Sequence, residues 1–329
     1  MEVYKNTIIY IFTPANTWGG GTNSCHQLCY KLRLLKYNAF ILYYDIGLGV
    51  GGSTHPNATH YNNPVAFEFH DYAENIAIIP ESATPLFTIC RNVRKAVWWL
   101  GVDLYYSTLL NHSNSTQPED YFFFDILAPS DEYHFTDSIH AKKHLEAFNI
   151  PKYRIMMLES YINPVLVKNV MTQPKIKKEN LVTFDPRRNL AFTKRIISCC
   201  DATGFNNVKF IPLINLSIEK LSMIYKISKV HINFGEFSGR EYIPRESSIN
   251  DCCIITGKMG AAKYYGDVPI PDKYKFEADE GSLPQITKCI KTCLDEYCEC
   301  IKDFMEYKKF SLGLERTFMK QIREIFIRV

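Results

Sequence analysis

A carboxylate near the start of a short helix is the strongest candidate for ligand chemistry in this chain of 329 residues. The helix opens at Pro244–Arg245–Glu246 and follows a polar, glycine-containing turn, Gly235–Gly239. Glu246 can accept hydrogen bonds from sugar hydroxyls, while glycine backbone and helix amides can face a diphosphate. A second glycine loop, Gly257–Gly260, lies one strand further on. The spacing fits equally well a ligand-free crossover with a solvated, capped helix.

Alternating strands and helices must position these residues. The apolar strand Val230–Phe234 precedes the turn, and the strand Cys253–Thr256 precedes the second glycine loop. This order is typical of parallel sheets, whose strand ends hold phosphorylated ligands. The same order recurs near the amino end, where a strand at Thr7–Thr13, three glycines at Gly19–Gly21 and a helix with one apolar face follow one another.

The alternation continues along the chain and predicts two doubly wound α/β domains. Further strands are predicted at 38–44, 76–79, 95–100, 124–128, 154–158, 180–184 and 208–212. Further helices are predicted at 137–148, 190–200, 217–227, 286–304 and 314–327, and an exposed loop at 47–63. Periodicity is lost and Pro, Lys and Gln accumulate over 163–179, which predicts an interdomain linker. The predicted domains are therefore 1–165 and 178–329.

Several segments resemble bacterial GT-B glycosyltransferases of the family 1 and family 4 type. IPRESSINDCCIITGKMGAA and DVPIPDKYKF resemble the donor side of those proteins. TPANTWGGGTNSCHQLCYKL resembles their opening strand, glycine loop and helix, and FDPRRNLAFTKRII resembles the start of their second domain. The resemblance implies the α/β GT-B fold: two Rossmann-like doubly wound domains with an interdomain cleft. The first would bind the acceptor and the second a nucleotide-sugar donor.

The resemblance also implies roles for charged residues of the donor side. Glu246 matches the family carboxylate that binds the ribose of the donor. Glu236, Arg240 and Arg245 are further donor-binding candidates, and each arginine either assists the phosphates or braces Glu246. Ser238 stands where related retaining enzymes carry a first glutamate, eight positions before the second. The stereochemical outcome therefore stays open.

Glycines, cations and one further acid complete the predicted site. The glycines that would let the backbone approach the donor closely are Gly20, Gly21, Gly235 and Gly260. Cations are needed where negative charge develops on a departing diphosphate, and Arg187, Arg188 and Lys194 lie at the matching region. Asp103 follows an apolar strand and is either a general base for an acceptor hydroxyl or a cap for the next turn.

Bulk properties exclude several other classes. The net charge of +3 carries no nucleic-acid footprint, and no apolar stretch is long enough to span a bilayer. Eleven cysteines without paired C-x-x-C spacing predict reduced thiols in a cytoplasmic protein rather than a zinc site. No D-x-D triplet occurs, so no metal and no other cofactor is expected. A peripheral membrane contact through Tyr121–Phe124 or Lys175–Lys178 is left open.

Three hypotheses follow. The first is a metal-independent glycosyltransferase that moves a sugar from a nucleotide donor to a hydroxyl of a glycan, lipid-linked or small-molecule acceptor. The second is a GT-B-shaped binding protein without transfer activity, which the serine at position 238 favours. The third is a GT-B-shaped nucleotide-sugar epimerase, which needs no acceptor. The first predicts that Glu246→Ala and Lys194→Ala each abolish turnover while the fold stays intact.

Overall fold

The structure, a computed structural model, describes residues 1–45, 49–112, 132–205 and 207–329, with the backbone alone over 108–112. The chain divides into two compact units. The first comprises Met1–Ser160 and Arg316–Val329, and the second comprises Tyr161–Glu315. The end of the last helix and the segment after it therefore belong with the first unit, whereas the sequence-based boundaries group them with the second domain.

The first unit contains a six-stranded parallel sheet. Its elements up to residue 160 are β1 (Glu2–Val3), β2 (Ile9–Pro14), α1 (Gly20–Leu34), β3 (Ala39–Tyr44), β4 (Ile76–Pro80), β5 (Arg94–Trp99), α2 (Val102–His112), β6 (Tyr133–Thr136), α3 (Ile139–Ala147) and β7 (Ile155–Met157). The strand order is β3-β2-β4-β5-β6-β7. The direction of winding therefore reverses between β2 and β4, the position at which ligands bind in such sheets.

The second unit contains a five-stranded parallel sheet of order β12-β11-β10-β8-β9. The remaining elements of the chain are α4 (Pro164–Thr172), β8 (Glu179–Phe184), α5 (Leu190–Ala202), β9 (Lys209–Pro212), α6 (Ile218–Ile227), β10 (Ser228–Asn233), α7 (Tyr242–Ile249), β11 (Cys253–Gly257), β12 (Lys275–Phe276), α8 (Leu283–Asp295), α9 (Tyr297–Cys300), α10 (Met305–Ile325) and β13 (Ile327–Arg328). β13 pairs in parallel with β1. In this sheet the winding reverses between β8 and β10.

The strands β2, β3, β4 and β11 are buried along almost their whole length, which explains why they are largely apolar runs, whereas β10 alternates between apolar and polar residues. In β10 the apolar residues Val230 and Ile232 pack into one core together with Cys253 and Ile255 of β11. The opposite face of β10 is polar yet buried, because it carries His231 and Asn233.

The predicted alternation of strands and helices is confirmed, with corrections. The helix α2 and the short strands β1, β12 and β13 were not predicted, and the helix predicted over 286–304 is divided into α8 and α9. The linker predicted over 163–179 is wrong in its first part, because Asn163 caps α4 and Leu166 is buried against Ile249. The loop predicted over 47–63, of which 47 and 48 lie outside the described residues, contains a 3-10 helix, Pro56–Tyr61, that buries two of its side chains. The strand β6 was not predicted, and the strand predicted at 124–128 lies outside the described residues.

Candidate functional site

Two loops meet at the carboxyl edge of the second sheet, where the winding reverses. The loop after β8 carries Arg187 and Arg188, and the turn after β10 carries Gly235. A Cβ atom placed on Gly235 would lie 2.8 Å from the Cβ of Arg188, so only glycine permits this approach. Asn189 fixes the same approach, because its Nδ2 donates to the carbonyl of Phe234 at 3.2 Å.

The second glycine loop packs directly on this turn. Gly260 has a φ of +50°, and a Cβ there would lie 2.1 Å from the carbonyl oxygen of Phe237 and 2.3 Å from that of Glu236. The amide of Ala261 donates to the carbonyl of Phe237 at 2.8 Å. Gly260 therefore serves the contact between two loops, and this contact shapes the turn from which Glu236 projects into solvent.

Arg187 is oriented by a buried acid that directly follows β8. Its Nε and one terminal nitrogen donate to the two carboxylate oxygens of Asp185, each at 2.9 Å. The Asp185 side chain is 4% exposed, whereas that of Arg187 is 63% exposed. The bond to Asp185 raises the pKa of Arg187. A forked pair of this kind holds the guanidinium in one plane while one edge stays open to solvent.

Arg188 is paired with Glu241, the acid that directly precedes α7. A terminal nitrogen of Arg188 lies 3.0 Å from Oε2 of Glu241. Burial raises the pKa of Glu241, and the charge of Arg188 opposes that shift. Within the part of the chain that the structure describes, the buried Nε of Arg188 has no hydrogen-bond partner. A buried donor without a partner lowers the stability of the folded state, and a bound anion would satisfy this one.

Glu246 lies at the middle of α7 and is 8% exposed. The hydroxyl of Tyr225 on α6 donates to its Oε2 at 2.9 Å. Burial raises the pKa of Glu246, while the Tyr225 hydrogen bond and the charges of Arg245 and Arg187 act in the opposite direction. The structure therefore brings Arg187 and Glu246, two of the predicted site residues, within electrostatic reach of one another.

The sequence left two roles open for Arg240 and Arg245, and both make buried structural contacts. Nε of Arg240 donates to Oδ1 of Asp267 at 2.9 Å, and both side chains are almost fully buried. Arg245 is fully buried and donates to the carbonyls of Glu241 and Arg240, at 3.1 and 2.8 Å. These contacts favour bracing of the α7 start over contact with phosphate.

The other predicted residues lie on other elements. Lys194 is exposed on α5. Asp103 is exposed in the first turn of α2, and Gly20 and Gly21 open α1, so all three belong to the first unit. At the start of α1, the Thr22 hydroxyl accepts a hydrogen bond from the Gly19 amide at 2.8 Å, which caps the helix without any acid in its first turn.

Sequence reasoning missed Tyr225, Asp185 and the position of Glu241 in the site. Tyr225 stands in a helix whose pattern predicts only an apolar face, and Asp185 ends a strand without any motif around it. The signal that could have found Asp185 is its spacing of two residues from Arg187, since both leave the same strand end. Tyr225 could not be found in this way, because its partner is distant in sequence.

Neither a metal cluster nor a spanning helix emerges from the described ranges. No group of three or more His, Cys, Asp or Glu side chains there could hold a metal ion. None of the helices in those ranges combines the length and the apolar composition needed to cross a membrane. All eleven cysteines are free thiols.

Comparisons with known proteins give matches only at the level of structure. No family model matches the sequence, and no curated protein matches it. HepE of Anabaena in complex with UDP-glucose is similar with a TM-score of 0.66 and 9% identity, over 97% of this chain and 98% of that one. Sucrose-phosphate synthase of Thermosynechococcus elongatus is similar with a TM-score of 0.61 and 11% identity, over 97% and 98% of the two chains.

TarM is also similar, with a TM-score of 0.55 and 10% identity over 77% of this chain. The matched region covers only 56% of TarM, so this chain spans about half the length of that protein. Each neighbour shares about a tenth of its sequence with this chain, and such similarity defines architecture alone. The chain has the GT-B fold, with two Rossmann-like units.

Proposed function

We propose that this protein is a glycosyltransferase whose second unit binds a nucleotide-sugar and whose first unit binds the hydroxyl acceptor. The observation that carries the proposal is the set of Arg187, Arg188 and Glu246 at the switch point of the second sheet. The two arginines offer cations for a diphosphate, and Glu246 offers a carboxylate for sugar hydroxyls. The arginines follow β8 and Glu246 lies on the helix that follows β10, on either side of the switch point. The neighbour HepE, crystallised with UDP and with UDP-glucose, supports the same ligand class.

The two arginines would act on the diphosphate. Arg188 carries a terminal nitrogen already paired with Glu241 and a buried Nε without a partner among the described residues. A phosphate oxygen at this position would satisfy that donor and neutralise charge as the sugar leaves. Arg187, held by Asp185, would present its open edge to the same group. Lys194 would supply a further cation from α5, through its long and flexible side chain.

Glu246 would accept hydrogen bonds from the ribose hydroxyls of the donor, which requires its ionised form because only a carboxylate accepts at both oxygens. In the first unit, the exposed Asp103 would act as the base that takes the proton of the acceptor hydroxyl. The acceptor is a glycan, a lipid-linked sugar or a small molecule, and the reaction needs no metal. The free thiols fit a cytoplasmic protein.

Binding of UDP to the purified protein tests the donor site. UDP at 100 times its Kd should raise the unfolding free energy by about 2.7 kcal/mol. The variant Glu246→Gln should bind UDP at least tenfold more weakly, because it loses the charge that accepts from the ribose. Glu219→Gln is the control, since Glu219 is exposed on α6 and should leave binding unchanged. A wild-type protein that binds neither UDP nor any other nucleoside diphosphate would contradict the proposal.

Turnover distinguishes transfer from the two alternatives. We expect UDP release from UDP-sugars to depend on an acceptor and to fall at least a hundredfold in Glu246→Ala. Ser238 in place of a carboxylate favours the binding protein as the second candidate, which would bind donor without releasing UDP against any acceptor. A new nucleotide-sugar formed from donor alone would instead identify an epimerase.

A further inference from the structure

The hydroxyl of Tyr225 is the only donor outside α7 that directly contacts the carboxylate of Glu246 in the described residues. Tyr225 lies on α6, is fully buried and was not part of the predicted site. Its hydroxyl contacts Oε2 of Glu246 at 2.9 Å, which leaves Oε1 for a ligand. Apolar packing alone does not explain why this buried tyrosine donates its hydroxyl hydrogen bond to a candidate ligand-binding acid.

We propose that Tyr225 is a positioning residue for Glu246: its hydroxyl holds Oε2 of this buried carboxylate so that Oε1 faces the sugar hydroxyls of the donor. The inference rests on the proposed function, because it gives Glu246 the ribose-binding role. It adds a residue from a different helix, and hence a dependence of donor binding on the contact between α6 and α7.

Tyr225 is held firmly enough for such a role. Its backbone carbonyl accepts from Nζ of Lys178 at 3.0 Å and from the thiol of Cys252 at 3.4 Å. Its side chain has no exposed surface, so the ring has one available position. A hydroxyl on such a ring can impose one orientation on the carboxylate that it contacts, whereas a flexible donor could not.

The charges around Glu246 explain why it needs this donor. Burial favours the protonated form of Glu246, and the opposing groups are Tyr225 from α6, Arg245 from its own helix and Arg187 from the loop after β8. Tyr225 itself is affected by Glu246, Cys252 and Asp185, and its pKa lies well above the ordinary value. Tyr225 therefore stays protonated and acts only as a donor. A hydrogen bond to the ionised form lowers the pKa of the acid that accepts it.

The Kd of UDP, measured by titration calorimetry between pH 5 and pH 8, tests the role of Tyr225. Tyr225→Phe keeps the ring and removes only the hydroxyl. We expect its affinity for UDP at pH 7 to fall about tenfold, equivalent to about 1.4 kcal/mol. The loss should grow as the pH falls, because Glu246 without this donor becomes protonated at a higher pH.

The matched control is Tyr274→Phe. Tyr274 is also buried in the second unit, and its hydroxyl donates to Oδ2 of Asp303 at 2.8 Å, so the same kind of bond is lost away from the site. This variant should bind UDP like wild type at every pH. A double-mutant cycle removes any general loss of stability: in the Glu246→Gln background, Tyr225→Phe should weaken UDP binding no further.

Each outcome decides a separate question. If wild type binds no nucleoside diphosphate, the proposed function fails and the role of Tyr225 fails with it. If wild type binds UDP and Glu246→Gln weakens binding, while Tyr225→Phe follows wild type across the pH range, the proposed function stands and the role of Tyr225 is overturned. The role of Tyr225 is also overturned if Tyr225→Phe lowers the affinity for UDP equally in wild type and in Glu246→Gln. Equal losses of affinity would show a structural effect that is independent of Glu246.

Discussion

The two sheets reverse their winding at equivalent places, but the charged residues that follow their strands differ. Acids follow the strands of the first sheet, namely Asp45, Glu81, Asp137 and Glu159. Cations follow strands of the second sheet, namely Arg187, Arg188 and Lys258. The second sheet has these cations beside acids such as Asp185 and Glu277. Under the proposed function, topology marks where each unit would bind its ligand, and the cations would make the second edge the site of the diphosphate.

The acids of the two units also differ in their partners. Glu81 is 1% exposed, and its Oε2 accepts from the amide of Leu100 at 2.9 Å. Burial raises its pKa to about 8, with a smaller contribution from Asp137. Glu246 is also buried and Glu241 is partly buried, yet arginines lie beside both of them. The second edge is therefore a network of balanced charges, whereas Glu81 is kept neutral over most of the physiological range.

Substitutions in the glycine loops of the two units should give the largest difference in unfolding free energy. Gly260→Ala puts a methyl group against two backbone carbonyls at a φ of +50°, so we expect a loss of at least about 4 kcal/mol in unfolding free energy. A Cβ on Gly19 meets no atom within 4 Å, and its φ of −174° is extended backbone. Gly19→Ala should therefore cost below about 1 kcal/mol. Denaturant unfolding of both variants measures the contrast, and equal losses would contradict it.

Replacement of Glu81 should make stability less dependent on pH. The folded state holds the Glu81 proton up to about pH 8, whereas the unfolded chain releases it near the ordinary value of 4.5. The unfolding free energy of wild type therefore falls as the pH rises through this window. Glu81→Gln removes the titration and keeps an acceptor for Leu100. Its stability relative to wild type should rise by about 3 kcal/mol from pH 5 to pH 8.

Unfolding free energies at those two pH values test this, with Glu74→Gln as the control. Glu74 is an exposed acid two residues before the start of β4, and its replacement should leave the pH dependence unchanged. A difference between Glu81→Gln and wild type that stays constant with pH would show that Glu81 is ionised throughout.

Loss of a cation from the carboxyl edge of the second sheet should weaken ligand binding, whereas loss of a cation from the first unit should not. Arg188→Gln removes the partner of Glu241 and a donor for phosphate, so we expect UDP to bind about a hundredfold more weakly, or about 2.7 kcal/mol. Arg33→Gln is the control, because Arg33 is exposed on α1 of the first unit. Titration calorimetry measures both, and similar affinities for the two variants would remove the distinction between the edges.

The sequence was sufficient for those parts of the site that depend on local order. Gly235 and Gly260 lie in loops that follow strands in a pattern that periodicity reveals, so their placement could be predicted, whereas Glu246 was predicted near the start of α7 and lies at its middle. The hydrogen bond of Tyr225 and the ion pair of Arg188 with Glu241 could not be predicted, since each joins residues from different elements. The helix α4 was hidden by the Lys-rich and Pro-rich stretch that follows it, because composition there outweighs a short apolar face.

Replacement of Lys194 should have the smallest effect on UDP affinity, and it tests how far the cationic edge of the second sheet extends. Its side chain is exposed on α5, where solvent screens charge, so a single surface cation contributes about 1 kcal/mol or less to the binding of an anion. We expect Lys194→Ala to weaken UDP binding no more than about fivefold, against the hundredfold of Arg188→Gln. Lys209→Ala, which removes an exposed lysine at the start of β9, controls for the change in net charge.

The dependence on salt separates two explanations for any larger effect. A screened surface charge loses its contribution between 50 mM and 500 mM salt, whereas a cation in direct contact with phosphate keeps most of it. If Lys194→Ala weakens binding as strongly as Arg188→Gln and does so at both salt concentrations, Lys194 contacts the diphosphate in the bound state. The cationic edge would then extend from the loop after β8 onto α5, because the bound anion would draw the lysine side chain inward.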